Sequence, residues 1–121
     1  MINFLEETER YMFELGYSWS DVNFISGREF SISVENFREV AANANYDAGY
    51  GASEVAEDLV IVFNDGCWFD RREYDGSEWW AYNIVPKKPD FERKIHALVV
   101  EQKQNSEFSG WLTLEQMNRI D

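Results

Sequence analysis

The sequence predicts an α+β fold in which a mostly antiparallel sheet of four to five strands packs against two to three helices. Two segments within the first 45 residues carry apolar residues at helical spacing, and residues 59–85 contain short strand-like runs separated by turn residues. Helices and strands that are grouped rather than strictly alternating favour an antiparallel sheet with helices on one face. With 121 residues, the chain is predicted to form a single domain, residues 1–121.

The first predicted helix covers Ile2 to Leu15 and ends at Gly16, because glycine commonly terminates helices. Its apolar residues fall on one stripe and most of its charged residues lie off that stripe, so the stripe is expected to face the core. The stripe consists of Phe4, Leu5, Tyr11, Met12 and Leu15.

Residues 21–32 are predicted to form two short strands joined at Gly27, because apolar residues recur on either side of that glycine. Ser33 has a side chain typical of a helix N-cap, and a second helix is predicted from Val34 to about Asn45. The buried stripe of this helix is expected to be Phe37, Val40, Ala41 and Ala44.

A continuous apolar run, Leu59–Phe63, predicts a strand that is buried on both faces or nearly so. Cys67–Tyr74 and Ser77–Val85 are predicted to form a hairpin, closed by Asp75-Gly76 in a type I′ turn. The turn fixes which residues oppose each other across the hairpin. The pairs at its outer end are Glu73 with Glu78, Arg71 with Trp80, and Arg72 with Trp79. The hairpin should therefore have an acidic tip, with arginines stacked on indoles.

The remaining segments give weaker patterns. Residues 45–59 are predicted to be a loop with tight turns at Gly49 and Gly51. A further strand is predicted from Ile95 to Glu101. A short helix is predicted near the C-terminus, because Thr113 and Gln116 have the spacing of a capping box.

The net charge is the strongest indication of function. The chain has 23 acidic and 11 basic residues, a net charge of −12, and a pI near 4.4. Residues 1–80 hold 17 acidic and 5 basic residues, whereas residues 81–121 hold six of each. The negative electrostatic field of such a charge repels nucleic acid and membranes and attracts basic surfaces. The expected partner is a protein with a basic nucleic-acid-binding surface, although an acidic surface also serves solubility alone.

The composition also bears on location. A single cysteine, Cys67, allows no intramolecular disulfide, as is usual in reducing compartments. No apolar run is long enough to span a bilayer, and the first ten residues lack the basic-then-apolar pattern of a secretion signal. A cytoplasmic protein without a membrane partner is expected.

No motif in the sequence predicts a reaction. Cys67 and His96 form the one conceivable nucleophilic dyad, and a small Cys/His hydrolase stays open as an alternative. An EF-hand starting at Asn45 fails, since Ala56 occupies the position that needs glutamate. Cys67 and His96 are also the only cysteine and histidine, too few for a zinc site. We expect a protein that is not an enzyme and has no cofactor and no metal.

Several segments resemble a family of short, acidic proteins encoded by phages and prophages of Gram-positive bacteria. The resemblance rests on "YDAGYGASEVAEDLVIV", "REYDGSEWW" and "PKKP", and extends from about Val34 to the C-terminal helix. It implies no catalytic residues. Small acidic phage proteins often inhibit host defence, among them anti-CRISPR proteins and antirestriction proteins that mimic DNA. By this analogy of size, charge and origin, the chain is expected to inhibit a host nucleic-acid-processing system, with a Cas9-type CRISPR effector as the candidate target.

The candidate partner-binding surface combines the acidic residues around the hairpin with two tryptophans as aromatic anchors. A non-enzymatic phage accessory protein that forms a homodimer through a sheet edge or the tryptophans stays open as the alternative. The candidate residues are Asp47, Glu54, Glu57, Asp58, Asp65, Asp70, Glu73, Asp75, Glu78, Trp79 and Trp80.

Overall fold

The computed structural model describes residues 1–47, 52–99 and 112–119. The chain divides into two compact units, Met1–Pro86 and Lys87–Asp121. The single domain over residues 1–121 stays a prediction. The fold is α+β, as predicted. The first unit has helices α1 (Phe4–Glu14) and α2 (Val34–Ala42) and strands β1 (Ile2–Asn3), β2 (Val22–Ser26), β3 (Ser31–Ile32), β4 (Asn45–Tyr46), β5 (Val60–Phe63), β6 (Trp68–Tyr74) and β7 (Ser77–Asn83).

The strands of the first unit form two antiparallel sheets. The larger sheet has the order β3-β2-β5-β6-β7, and β1 pairs with β4 in a second, two-stranded sheet. The predicted hairpin register is confirmed in every pair from Trp68↔Asn83 to Tyr74↔Ser77. Its turn is also confirmed in type, because Asp75 has a φ of 51° and Gly76 a φ of 84°, both positive as a type I′ turn requires.

Local capping explains where the two helices begin. The Asn3 side chain accepts a hydrogen bond from Glu6 N–H at the start of α1. Ser33 caps α2 as predicted, by accepting from Asn36 N–H at 3.0 Å. Each cap satisfies one of the backbone N–H groups that a helix start leaves without a partner.

The core lies between the helices and one face of the larger sheet. Ile61, Phe63 and Phe69 are fully buried on that face, and Met12 is fully buried on α1. Aromatic rings contribute much of the contact area, with the Tyr17 and Phe63 rings stacked at 3.9 Å. Two of the residues predicted to face the core from the helices are exposed, however. Leu15, the C-cap of α1, is 38% exposed. Val40 is 63% exposed, so α2 buries only the narrower stripe of Phe37 and Ala41.

The described residues of the second unit include one short helix, α3 (Leu114–Met117), with the predicted capping box between Thr113 and Gln116. The predicted strand Ile95–Glu101 is wrong over residues 95–99, and residues 100–101 lie outside the described part of the chain. Asn118 explains the difference. Its Oδ1 accepts from His96 N–H at 2.8 Å and Ala97 N–H at 2.9 Å, and its Nδ2 donates to Ala97 O at 2.9 Å. A side chain thus takes the hydrogen bonds that a strand ladder would have used.

Candidate functional site

A buried ion cluster lies where the hairpin meets α1 and β4. Its centre is Arg71, whose side chain is 4% exposed. Arg71 Nη1 donates to Glu7 Oε1 at 3.3 Å, and Nη2 donates to Glu78 Oε1 at 3.1 Å and to the Tyr46 hydroxyl at 3.3 Å. The Tyr46 hydroxyl in turn donates to Glu7 Oε2 at 2.6 Å. Two carboxylates and a phenol therefore surround one cation, and we call Glu7, Tyr46, Arg71 and Glu78 the ion cluster.

Aromatic rings enclose the same guanidinium. Its carbon lies 4.9 Å from the centre of the Trp80 ring, 5.2 Å from that of Phe4 and 5.7 Å from that of Tyr46. Trp80 Nε1 donates to Thr8 Oγ1 at 2.9 Å, so the indole is fixed by a buried hydrogen bond as well. The predicted stacking of Arg71 on Trp80 is confirmed. A desolvated cation over an aromatic face gains about 2 kcal/mol or more.

The ion cluster also anchors the loop before β5. Glu78 Oε2 accepts from Glu54 N–H at 2.7 Å, and Glu78 Oε1 accepts from Val55 N–H at 3.1 Å. The Glu54 side chain then accepts from Asp47 N–H at 2.8 Å through its own Oε2. One buried carboxylate thus connects the hairpin to a loop more than 20 residues earlier in the chain.

Two acid–base groups of the ion cluster are shifted from their ordinary pKa. Burial raises the pKa of the Tyr46 hydroxyl to about 12, and its hydrogen bond to Glu7 acts in the same direction. Burial also acts to raise the pKa of Glu78. The N–H groups of Glu54 and Val55, together with Arg71, outweigh burial, so the pKa of Glu78 lies below its ordinary value. Glu78 is therefore ionised at neutral pH.

The lowered pKa of Glu78 predicts how stability depends on pH. A carboxylate with a depressed pKa in the folded state contributes stability above its unfolded pKa, near 4.3, and that stability is lost as pH falls through the folded pKa. We therefore expect the free energy of unfolding to fall less steeply between about pH 5 and pH 3 in Glu78→Gln than in the wild type. Urea unfolding at several pH values measures both slopes, and equal slopes would contradict the assignment.

The structure corrects two of the eleven predicted binding residues. Glu78 is buried in the ion cluster, and Trp80 is 3% exposed in the core. Neither side chain presents to solvent the charge or the indole face that the prediction requires, so both leave the candidate surface. Trp79, which lies between them on β7, faces outward and is 42% exposed. Arg72 lies opposite Trp79 in the hairpin, as predicted. Its side chain, however, donates hydrogen bonds to Asp70 and Asn83.

Four of the predicted acidic residues have local structural partners. Asp58 Oδ2 accepts from Arg28 N–H at 2.8 Å, which lowers the pKa of Asp58. Asp65 Oδ2 accepts from the Tyr17 hydroxyl at 2.6 Å, and this contact lowers the pKa of Asp65. The other two form ion pairs: Glu57 with Arg28 at 3.3 Å, and Asp70 with Arg72 at 3.0 Å.

Four other predicted acidic residues lie around the end of the hairpin, and we call them the tip surface. Glu73 lies opposite Glu78 in the hairpin, and Asp75 is in the turn. Glu54 and Asp47 belong to the segments that Glu78 connects to the hairpin. All four are exposed. Asp65 is not part of this group, because its turn connects β5 to β6 at the opposite end of β6.

The sequence analysis missed Glu7 and Tyr46 as members of the ion cluster. The alternation of side chains along β6 could have shown that Arg71 is buried. Residues two apart in a strand share a face, so Arg71 points to the same core face as the fully buried Phe69. An arginine on that face requires an acidic partner. The pattern could not tell which of the acids in the chain supplies it.

Other chemistry has little support among the described residues. Cys67 is buried in the first unit, while His96 belongs to the second. The described part of the chain contains no group of three or more His, Cys, Asp and Glu residues able to hold a metal ion. Within the same residues, no helix is long and apolar enough to cross a membrane. The Cys/His hydrolase thus stays a prediction without a geometric observation to support it.

Comparison with known proteins leaves the function open. No family model, curated protein or solved structure matches this chain. The resemblance to phage-encoded proteins stays a prediction, and the segment "AGYG" that contributes to it, residues 48–51, lies outside the described residues.

Proposed function

We propose that this protein is a non-enzymatic inhibitor that binds the basic nucleic-acid groove of a host enzyme through an acidic surface. A CRISPR effector of the Cas9 type, acting in the cytoplasm of a bacterial host, is the candidate target. The observation that carries the proposal is the segregation of charge. The first unit, Met1–Pro86, holds 17 acidic and 5 basic residues, a net charge of −12, while the second unit is neutral overall.

The tip surface is the part of the first unit best suited to this role. Its carboxylates are exposed, and the two segments that carry them are joined by a buried hydrogen-bonded carboxylate, Glu78. Carboxylates held on a rigid support lose little conformational entropy on binding. Arginine and lysine side chains that normally contact phosphates would meet fixed negative charges at the tip surface, and long-range attraction would speed association at low salt.

Inhibition of a purified Cas9-type effector tests the proposal. We expect the protein to block DNA cleavage at low salt, and to lose about tenfold or more in potency when the salt concentration is raised several-fold. The double variant Glu73→Lys/Asp75→Lys is expected to weaken inhibition by about tenfold or more, while each exposed substitution changes stability by about 0.5 kcal/mol or less. Glu78 is unsuitable for this test, because its substitution would disturb the fold.

A matched control uses Glu35→Lys/Glu39→Lys, which changes the net charge equally on the exposed face of α2. We expect this control to retain most of the inhibition. Equal losses from both double variants would mean that net charge alone acts, without a specific surface. No inhibition of a CRISPR effector at any salt would overturn the choice of target, and a stable dimer at high salt would favour the homodimer instead.

A further inference from the structure

We propose that β7 is a docking edge for an extended, basic segment of the partner protein, which adds to the sheet as a sixth strand. The inference rests on the proposed function for the sign of the partner's charge. The edge itself follows from the hydrogen bonds of the sheet, and no binding role has so far been assigned to it.

The outward-facing backbone groups of β7 can be identified from the sheet. Phe63 N–H donates to Cys67 O at 2.9 Å, so the odd-numbered residues of β6 turn their backbone groups toward β5. The even-numbered residues of β6 then pair with Ser77, Trp79, Ala81 and Asn83. The N–H and C=O groups of Glu78, Trp80 and Tyr82 therefore point away from the sheet.

The outward side of β7 has no neighbouring strand in the described sheet. The strand is the last in the sheet order, and no described backbone group pairs with its outward N–H and C=O groups. Sheet edges are usually protected by short strands, by lysine or proline, or by bulges. The opposite edge, β3, is only two residues long, whereas β7 has seven residues, an unbroken register with β6, and neither lysine nor proline. Its one charged side chain, Glu78, is buried in the ion cluster.

A pocket beside this edge indicates the charge of the occupant. It has a volume of about 300 Å³ and is formed by one face of α1 together with β7. Three aromatic residues, two carboxylic acids and one base, Arg10, line it. Glu7 is already bonded to Arg71 and Tyr46 in the ion cluster, so Glu14 is the carboxylate that can meet a basic occupant. The lining residues are Glu7, Arg10, Tyr11, Glu14, Trp79 and Trp80.

This lining suits the side chain of a lysine or an arginine. The aliphatic part of either side chain packs on aromatic residues, and its charged end reaches the exposed Glu14 carboxylate. A second copy of the chain is a poorer occupant, because pairing two β7 edges would bring together two units of net charge −12. The edge and the pocket together favour an extended segment in which a basic residue alternates with apolar ones.

Amide hydrogen exchange measured by NMR tests the docking edge directly. The probe is a capped hexapeptide that alternates lysine or arginine with valine, added to the full-length protein at low salt. We expect those amides of Glu78, Trp80 and Tyr82 whose N–H groups donate to carbonyl oxygens of the peptide to exchange at least about tenfold more slowly when it is bound. The amides of Trp79 and Ala81 already bond to β6 and should not change.

Two controls separate strand pairing from charge attraction. The same peptide N-methylated at every backbone nitrogen keeps its charge but is blocked from pairing with β7 along either of its edges, so it should give no protection. Glu14→Lys should weaken peptide binding by about fivefold or more, whereas Glu39→Lys, an equal charge change on α2, should change it less than twofold.

Three results would overturn the docking edge. The first is no binding of the peptide at low salt. The second is binding that shifts only the NMR resonances of the tip-surface residues and leaves the exchange of the three amides unchanged. The third is a free protein that has the mass of a dimer and in which the three amides are already protected. None of these results would decide whether the protein inhibits a CRISPR effector, which the cleavage assay measures separately.

Discussion

Replacement of Arg71 by alanine is expected to lower the free energy of unfolding by about 3–5 kcal/mol, the range typical of breaking a buried ion pair. The substitution removes the cation from two carboxylates, and Glu78 is as deeply buried as Arg71 itself. It also removes the group that packs against the rings of Phe4 and Trp80. Urea unfolding followed by tryptophan fluorescence measures the loss, because four of the five tryptophans lie in the first unit.

Arg72→Ala is the matched control for this prediction. Arg72 is the next residue in β6, and its ion pair with Asp70 is largely exposed to solvent. Exposed ion pairs contribute about 0–1 kcal/mol, so the control should stay within that range. If Arg71→Ala also changed the free energy of unfolding by less than 1 kcal/mol, the ion cluster would not be the main link between the hairpin and the helices.

The elements that the sequence predicts well are those determined by neighbouring residues. Asp75 and Gly76 tolerate positive φ, so a two-residue turn could be placed and the whole register of β6 and β7 followed from it. Ser33 and Thr113 were identified as helix caps for the same reason, since capping depends on a residue three positions away.

The elements that the sequence predicts poorly depend on distant contacts. Ile95–Val99 alternates like a strand, but a side chain 20 or more residues later, Asn118, takes its hydrogen bonds. Glu78 looks like a surface acid in the hairpin sequence, and it is buried because backbone groups of the loop before β5 and a cation on β6 satisfy it. Charge at a hairpin tip therefore does not reveal which carboxylates reach solvent.

The opposed pair Glu73 and Glu78 provides the second large effect. The two residues face each other across the hairpin, yet only Glu78 is buried. Glu78→Ala is expected to lower the free energy of unfolding by about 3–5 kcal/mol, because Arg71 would then lack an anionic partner and the N–H groups of Glu54 and Val55 would lack an acceptor. Glu73→Ala should change it by about 0.5 kcal/mol or less, as expected for an exposed residue.

A double variant distinguishes the two roles of Glu78. Replacing Arg71 with methionine and Glu78 with leucine removes this buried pair while keeping similar volume, a change that often restores stability when a buried ion pair is all that was lost. Glu7, which also loses its contact with Arg71, is only partly buried and keeps the hydrogen bond from the Tyr46 hydroxyl. Here the N–H groups of Glu54 and Val55 would stay without an acceptor. We therefore expect the double variant to be more stable than Glu78→Ala but still about 1–3 kcal/mol below the wild type. Full recovery would show that Glu78 acts as a counter-ion alone and does not anchor the loop.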